Sequence, residues 1–235
     1  MTSFPITFDK LPALSPNTIT DTCICVLGCL ATPRGIAIKN EMLRWLNVHL
    51  NVVVCNQTPP GKLFEYPAID LATRLSIKYD KPVLYIHTKG AGNPIPFNYK
   101  ACMMGPTVNV PQTAKPEDCQ RIVRLMWQAE FGTSKIQQYI DAINSKEPIV
   151  AAPYIDPSRV TWQNGWIMNS SAAKALLPTL YISNDRYYYE QVFRQIKTVK
   201  LTGIVINDTE SWQEPHKVLW DSIWSYYNNT ISNMV

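Results

Sequence analysis

The stretch TDTCICVLGCLATPRGIAIKNEMLRWLNVHLNVVVCNQ, residues 20–57, decides the fold. Its first part, residues 20–30, is apolar on both faces and rich in β-branched residues, which is typical of a strand covered on both sides. A helix is predicted over 33–49, because Ile38, Met42, Trp45 and Leu46 recur at helical spacing. A second apolar strand follows at 50–57. The stretch therefore predicts a strand–helix–strand unit.

The chain then repeats this pattern. A helix is predicted over 66–80, with Pro67 in its first turn, and KPVLYIHTKG, residues 81–90, is a third strand. Two successive crossovers of this kind form a doubly wound α/β half. The core residues expected from its three adjacent parallel strands are Cys25, Val26, Val53, Val54, Leu84 and Ile86.

Further helices and short strands follow a long segment rich in proline and glycine, residues 91–118. One predicted helix carries Ile122, Leu125, Met126 and Ala129 on its apolar stripe. Another, SSAAKALL at 170–177, is expected to begin at a serine cap. We predict one α/β domain over 1–235, with a mostly parallel central sheet flanked by helices.

Composition excludes several classes of protein. Hydrophobic residues make up 46% of the 235, enough for a real core, so global disorder is excluded. The net charge of +4 is too small to indicate nucleic-acid binding. No apolar run reaches the about 18 residues that a transmembrane helix needs. The N-terminus has no signal-peptide pattern, so we expect a cytoplasmic protein without an integral membrane segment.

The six cysteines are expected to be reduced thiols, mostly small core residues, since three of them lie in the first apolar strand. The chain has no CxxC and no HExxH motif, and its three histidines lie far apart, so no metal ligands are assigned. It also lacks GxGxxG, GxxxxGK[ST] and GxSxG motifs.

The sharpest candidate site is YIHTKGAG, residues 85–92, at the predicted carboxyl end of the third strand. Ligands of open α/β sheets bind at such ends. Alternation along the strand places Tyr85, His87 and Lys89 on one side, where a cation beside an imidazole suits a diphosphate. The alternative is a strand end with a solvated lysine and a turn glycine.

A second candidate is WQNGWIMN, residues 162–169, in which two tryptophans flank an Asn-Gly turn. Trp162, Asn164, Gly165 and Trp166 suit a sugar, because aromatic faces and amides match an apolar ring face and its hydroxyl rim. The alternative is that both tryptophans lie in the core.

The third candidate is NDRYYYEQVFRQI, residues 184–196, a predicted helix with Tyr189, Val192, Phe193 and Ile196 toward the core. Glu190 lies between Arg186 and Arg194 at helical spacing and could act as a base. A solvated charge ladder is the alternative. Asp185 fits a helix cap better than a catalyst.

Together these motifs resemble bacterial glycosyltransferase-like proteins of the GT-A fold, linked to surface polysaccharide synthesis and akin to rhamnan-synthesis proteins. In such proteins an "iHtKG" stretch, matched here by His87, Thr88, Lys89 and Gly90, occupies the strand end where most GT-A enzymes carry a metal-binding DxD. NGWIMNSS resembles the segment that GT-A enzymes place near the donor sugar and the acceptor. RYYYEQVF resembles a later helix of these enzymes that carries an acidic residue, and Glu190 is the matching position here. This sequence has no DxD.

The resemblance implies a GT-A-like domain in which 20–90 is the nucleotide-binding half and 91–235 the sugar and acceptor half. It implies that the partners are a nucleotide-sugar donor and a glycan or lipid-linked acceptor, and that nucleic acid is not a partner. It is compatible with peripheral contact with a membrane and with a bound Mn or Mg ion. His87, Lys89 and Glu190 are its catalytic candidates. The residues expected to bind the donor or the acceptor are Thr32, Arg34, Thr88, Gly90, Trp162, Asn164, Gly165, Trp166, Asp185 and Arg186. The alternative is a non-catalytic nucleotide- or carbohydrate-binding protein with a degenerate GT-A fold.

Overall fold

Six strands form one mixed sheet in a computed structural model that describes residues 7–12, 22–57, 65–88, 91, 116–153, 165–183, 185 and 188–200. The strands are β1 (Ile24–Leu30), β2 (Asn51–Gln57), β3 (Val83–His87), β4 (Ile149–Ala152), β5 (Trp166–Met168) and β6 (Lys197–Lys200). Their order across the sheet is β2-β1-β3-β5-β4-β6. Strands from both halves of the sequence therefore share one sheet.

Helices cover both faces of this sheet. They are α1 (Pro33–His49), α2 (Tyr66–Tyr79), α3 (Pro116–Phe131), α4 (Lys135–Ala142), α5 (Ser170–Leu176) and α6 (Tyr188–Gln191). Apolar side chains of α1, α3 and α4 pack on one face, and those of α2 and α5, with Tyr189 of α6, pack on the other. The α/β class is confirmed, with a mixed sheet flanked by helices.

The prediction of a mostly parallel sheet needs a correction at β5. Strands β2, β1 and β3 are parallel, as are β4 and β6, but β5 runs antiparallel to both of its neighbours, β3 and β4. Because of this reversal, β5 begins at the edge of the sheet where β3 ends. Trp166, its first residue, pairs with Tyr85 near the carboxyl end of β3.

The centre of the first half agrees with the expected parallel core. Cys25 pairs with Val52 of β2 on one side and with Leu84 of β3 on the other. The expected core residues of β1 and β3 are buried, whereas Val53 and Val54 are only partly buried. The reason is that β2 is the outermost strand of the described sheet on that side.

The apolar stripe predicted for α3 is out of phase. The buried residues on this helix include Val123, Trp127 and Phe131, and also the polar Arg124 and Glu130, while Leu125 and Ala129 are only partly buried. The side chains of Ile122 and Met126 lie outside the described residues. Helix α3 thus turns a tryptophan, absent from the predicted stripe, toward the core.

Asn169 holds the second half of the sheet together. Its side-chain Oδ1 accepts hydrogen bonds from Ile149 N (3.2 Å) and Ala172 N (2.8 Å). Its Nδ2 donates to the carbonyl oxygens of Ile143, Ser145 and Glu147, at 3.0, 3.0 and 2.7 Å. Asn169, rather than the predicted serine, therefore caps α5 and also fixes the loop that leads into β4.

Replacing Asn169 by alanine should strongly destabilise the protein. The change removes a helix cap and leaves buried backbone groups without partners, which together cost about 2–4 kcal/mol. Urea unfolding followed by circular dichroism measures this loss. The control is Ser171→Ala in the same helix, which should stay within about 0.5 kcal/mol of wild type. Equal stability of the two variants would contradict the role given to Asn169.

Four of the six cysteines are free and buried: Cys23, Cys25, Cys29 and Cys55. Burial raises the pKa of Cys23 and that of Cys55 to about 12 each. Burial also raises the pKa of Cys25 and that of Cys29. These thiols confirm the expectation of reduced core cysteines for the described positions.

We expect a short iodoacetamide pulse at pH 8 to leave these four thiols unmodified in the native protein, because the thiolate is the reactive form. The same pulse in 6 M guanidinium should label them all. Peptide mass spectrometry gives the labelling at each site. Fast native labelling of Cys25 would contradict the central position of β1.

Candidate functional site

The carboxyl ends of β1, β2 and β3 lie at one edge of the sheet, because the three strands are parallel and adjacent. The reversed strand β5 starts at this same edge, since Trp166 pairs with Tyr85. The turn from β1 into α1, the HTKG segment and the start of β5 are therefore neighbours. Of the HTKG segment, His87 and Thr88 are described, and Lys89 and Gly90 lie outside the described residues.

Thr88 joins the end of β3 to the end of β1. Its backbone N–H donates to the carbonyl oxygen of Gly28 (2.8 Å), and its hydroxyl accepts from the N–H of Leu30 (3.1 Å). The side chain is buried. Thr88 therefore has a structural role, since its two hydrogen bonds connect the ends of β1 and β3; its predicted contact with a ligand stays a prediction.

The turn after β1 starts α1 in a well-defined way. Thr32 caps the helix, its hydroxyl accepting from Gly35 N at 3.0 Å, and Pro33 follows in the first turn. A Cβ at Gly35 would overlap the carbonyl oxygen of Leu30, so this turn requires glycine. Arg34 is exposed in the first helical turn. The positive end of α1 and the Arg34 cation therefore lie at the carboxyl edge.

His87 is the predicted catalytic residue that the structure describes in full. Its ring centroid lies 6.1 Å from that of Tyr85, so the two side chains share a face, as alternation predicted. Its Nδ1 is 3.7 Å from Oε2 of Glu65, and its ring meets Trp127 edge-on at 5.5 Å. The His87 side chain is 14% exposed. An imidazole so placed is held by protein on several sides yet reaches solvent.

Glu65 is a neighbour of His87 that the sequence analysis missed. It immediately precedes α2, and its Oε2 accepts a hydrogen bond from the Tyr85 hydroxyl at 3.0 Å. The same oxygen faces His87. Glu65 stands 20 residues before Tyr85 in the sequence, so only the return of the chain through α2 brings the two together. No local motif marks this contact.

Trp166 is not a sugar platform. It is fully buried between Tyr85 (5.0 Å between ring centroids) and Phe193 (4.8 Å), as the alternative for this residue expected. Gly165 is buried as well and lies against the indole of Trp127. Trp162 and Asn164, the other two residues of this candidate, lie outside the described residues.

Trp127 completes the group around His87. The indole is fully buried, and within the described part of the chain its Nε1 has no hydrogen-bond partner. A Cβ at Gly165 would overlap this nitrogen, so the strand entry and the indole are in direct contact. The sequence analysis did not place Trp127 in the core, because it predicted a different set of residues for the buried side of this helix.

The predicted acidic helix is shorter than expected. Of its described residues, 185 and 188–196, those of Tyr188–Gln191 are helical, and turns follow before β6 begins at Lys197. Tyr189, Phe193 and Ile196 are nevertheless buried, as predicted, while Val192 is partly buried. The shortening has a simple cause, since the chain must straighten to enter the sheet beside β4.

Glu190 lies on α6, and its side chain is outside the described residues, as is the whole of Arg186. The adjacent Tyr189 accepts a hydrogen bond at its hydroxyl from Ser183 N (3.0 Å). Burial is the main cause that raises the pKa of Tyr189, and the Glu65 charge adds to it. Helix α6 therefore lies on the Glu65 side of the sheet. Asp185 is exposed, and its carbonyl oxygen accepts from Tyr188 N, in line with a place at the helix start.

Among the described residues, no group of three His, Cys, Asp or Glu side chains could hold a metal ion. In the same part of the chain, no helix has the length and apolarity to span a membrane.

Gly165→Ala should destabilise the protein more than Gly28→Ala. The added methyl group at 165 would overlap the buried indole of Trp127, which costs about 1–3 kcal/mol. At Gly28 it would meet the Cβ atoms of Ala68 and His87 at 3.2 and 3.3 Å, and a strand residue other than glycine recovers about 0.5–1 kcal/mol of backbone entropy. Thermal unfolding of both variants checks this order, and the reverse order would contradict the placement of Trp127.

A scan against protein-family models, a search of curated proteins and a search of solved structures each returned no match for this chain. The fold and the geometry of the carboxyl edge are therefore the basis for a functional assignment.

Proposed function

We propose that this protein is a GT-A-like glycosyltransferase that moves a sugar from a nucleotide-diphosphate donor to a glycan or lipid-linked acceptor in the cytoplasm. The observation that carries the proposal is the position of His87, partly exposed at the carboxyl end of β3 and held beside Glu65 and Trp127. The sheet consists of the parallel strands β2, β1 and β3, the reversed strand β5, and the parallel pair β4 and β6. This arrangement is compatible with a GT-A-like domain.

The nucleotide is proposed to bind at the ends of β1 and β2. The N-terminus of α1, capped by Thr32 and carrying Arg34, brings a positive potential to this edge. Helix N-termini after a strand favour anions for this reason. Thr32 acts through the helix cap, because its hydroxyl is already engaged by Gly35 N.

The diphosphate is proposed to meet His87 together with Lys89 and Gly90. An imidazolium and an ammonium offer charge-assisted hydrogen bonds to phosphate oxygens. Negative charge grows on the diphosphate as it leaves, and fixed donors aimed at such charge are often the largest catalytic effect. No step of this proposal passes through a metal.

In the proposed reaction, the bond between the anomeric carbon and the diphosphate oxygen breaks, and its electron pair leaves with the diphosphate. A new bond forms between the anomeric carbon and an acceptor hydroxyl oxygen, whose proton passes to a base. Glu190 on α6 is the candidate base. Trp162, Asn164 and the segment 91–116 are the proposed contacts of sugar and acceptor.

The alternative is a nucleotide- or carbohydrate-binding protein that has no transferase activity. Two observations favour it: the sequence has no DxD motif, and the described residues offer no metal cluster. The alternative predicts nucleotide-sugar binding without release of nucleoside diphosphate. Assay of that release with a panel of donors separates it from the enzyme.

His87→Asn should weaken the binding of a nucleoside diphosphate by about 10- to 100-fold, because a hydrogen bond to a charged group contributes about 1.5–3 kcal/mol. Isothermal titration calorimetry at pH 6.5 with UDP, GDP, ADP and dTDP measures the effect and identifies the base that binds best. Lys89→Ala should weaken binding in the same direction.

The matched control is Lys146→Ala, which removes an exposed cation three residues before β4. β4 runs in the same direction as β3, since both are antiparallel to β5, so this lysine lies near the opposite edge of the sheet. Its loss should change the dissociation constant less than twofold. If His87→Asn and Lys146→Ala weaken binding equally, the loss reflects only the change in net charge. That result would refute the assignment of the diphosphate site to His87.

A further inference from the structure

Two large apolar side chains lie next to each other in solvent shortly after α5. Tyr181 is 58% exposed, and Ile182 is 48% exposed. The other exposed large apolar side chains of the described residues, Phe8 and Ile36, are far apart in the sequence. A single exposed apolar residue is ordinary, whereas adjacent ones form a surface that can bind a ligand.

A second tyrosine supports the first. The ring of Tyr181 lies against that of Tyr188, with 4.4 Å between the ring centroids and 40° between the ring planes. Tyr188 is partly buried, and its hydroxyl donates to the carbonyl oxygen of Thr179 at 2.9 Å. The exposed part of Tyr181 is therefore the part that faces away from Tyr188. We call Tyr181, Ile182 and Tyr188 the Tyr181 patch.

Hydrogen bonds fix the backbone on both sides of the Tyr181 patch. Leu180 N donates to the carbonyl oxygen of Leu176 at 3.1 Å, and Ser183 N donates to the Tyr189 hydroxyl at 3.0 Å. Ser183 and Tyr189 are both buried. The two exposed side chains thus project from a backbone that is already held in place. A ligand that binds to them does not have to order this segment first, which would cost free energy.

The Tyr181 patch lies toward the carboxyl edge of the sheet, on the side of α2. Burial is the main cause that raises the pKa of Tyr66, and Tyr188 is one of the side chains that add to it. Tyr66 is the first residue of α2, which follows β2 and so begins at this edge. The preceding residue, Glu65, contacts Tyr85 and His87 at the end of β3.

The size of the Tyr181 patch and its lack of charge indicate the class of its ligand. Residues 177–183, LPTLYIS, include no charged side chain. Tyr181 and Ile182 together expose on the order of 200 Å², since a whole aromatic side chain offers about 150–250 Å². A specific protein interface takes about 800 Å² from each partner, so the patch is too small for one. A neutral sugar ring fits it, because its apolar face can lie on the phenol while its hydroxyls stay in water.

We infer that the Tyr181 patch binds one sugar unit of the acceptor glycan, whose apolar face stacks on the Tyr181 ring. The inference rests on the proposed function and deepens it, because it names a contact of the acceptor beside the carboxyl edge. A glycan held at this second point keeps its other units at a high effective concentration near the diphosphate.

The test is the binding of four neutral tetrasaccharides to the full chain: maltotetraose, cellotetraose, chitotetraose and mannotetraose. Calorimetry at millimolar sugar gives the dissociation constants. Tyr181→Ala should weaken the binding of the best of them by at least about 5-fold, which corresponds to about 1 kcal/mol and lies in the range of a stacked aromatic contact. Tyr181→Phe keeps the ring and should bind within about twofold of wild type.

Three further variants keep the result specific. Phe8→Ala removes an aromatic ring that is 40% exposed but lies 5.4 Å from the Arg74 guanidinium, so it should leave sugar binding unchanged. Tyr188→Phe keeps the second ring but frees it from Thr179, and should weaken binding less than Tyr181→Ala does. Ile182→Ser should weaken binding in the same direction, and this variant decides if Tyr181→Ala does not fold.

The outcomes separate this inference from the proposed function. Tyr181→Ala should bind nucleoside diphosphates as wild type does, because the diphosphate is proposed to bind at His87 and Lys89. Unchanged tetrasaccharide binding in Tyr181→Ala overturns the inference and leaves the proposed function standing, and so does absence of binding to all four sugars. Absence of nucleoside diphosphate binding refutes the proposed function itself. Self-association of the wild type that Tyr181→Ala abolishes, without sugar binding, would make the patch an interface between copies and would also overturn the inference.

Discussion

The antiparallel pairing of β5 with β3 is the constraint on which the rest of the structure depends. It joins the parallel block β2-β1-β3 to the pair β4 and β6, and it places the start of β5 beside the end of β3. Trp166 thereby packs on Tyr85, and Gly165 meets the Trp127 indole. Just beyond β5, Asn169 fixes the loop before β4 and the start of α5. A reversed strand of three residues thus determines both the second half of the core and one wall of the site.

The site depends in turn on how buried polar groups find partners. The hydroxyl of Tyr85 is buried by this packing, and an unpaired hydroxyl there would cost about 1–3 kcal/mol. Glu65 supplies the partner, and the same oxygen then lies beside His87. A requirement of the core therefore fixes the position of an acid at the carboxyl edge of the sheet. His87 thus lies beside a contact that the core needs, so a variant at His87 requires a measurement of thermal unfolding beside the measurement of binding.

Much of the first half could be predicted from the sequence, because β1, β2 and β3 are short apolar runs and the two helices between them have strong helical periodicity. The direction of β5 could not, since three buried residues show no alternation and their pairing depends on distant strands. The stripe of α3 was mispredicted because buried polar residues hide it: Glu130 accepts hydrogen bonds from Tyr139 (2.8 Å) and Lys135 (3.2 Å), and Arg124 lies 3.7 Å from Glu41. The place of His87 at the carboxyl end of β3 could be predicted, because it follows the apolar run of that strand. Glu65 was missed because its partners are brought to it only by the fold.

The most direct test of the account is the NMR spectrum of the histidine imidazoles during titration with a nucleoside diphosphate. The chain has three histidines, so the His87 signals can be identified by their loss in His87→Asn. If the carboxyl edge binds the diphosphate, these signals should shift progressively and stop shifting when the site is saturated. His87 signals that stay in place while calorimetry shows the nucleotide to be bound would contradict the account.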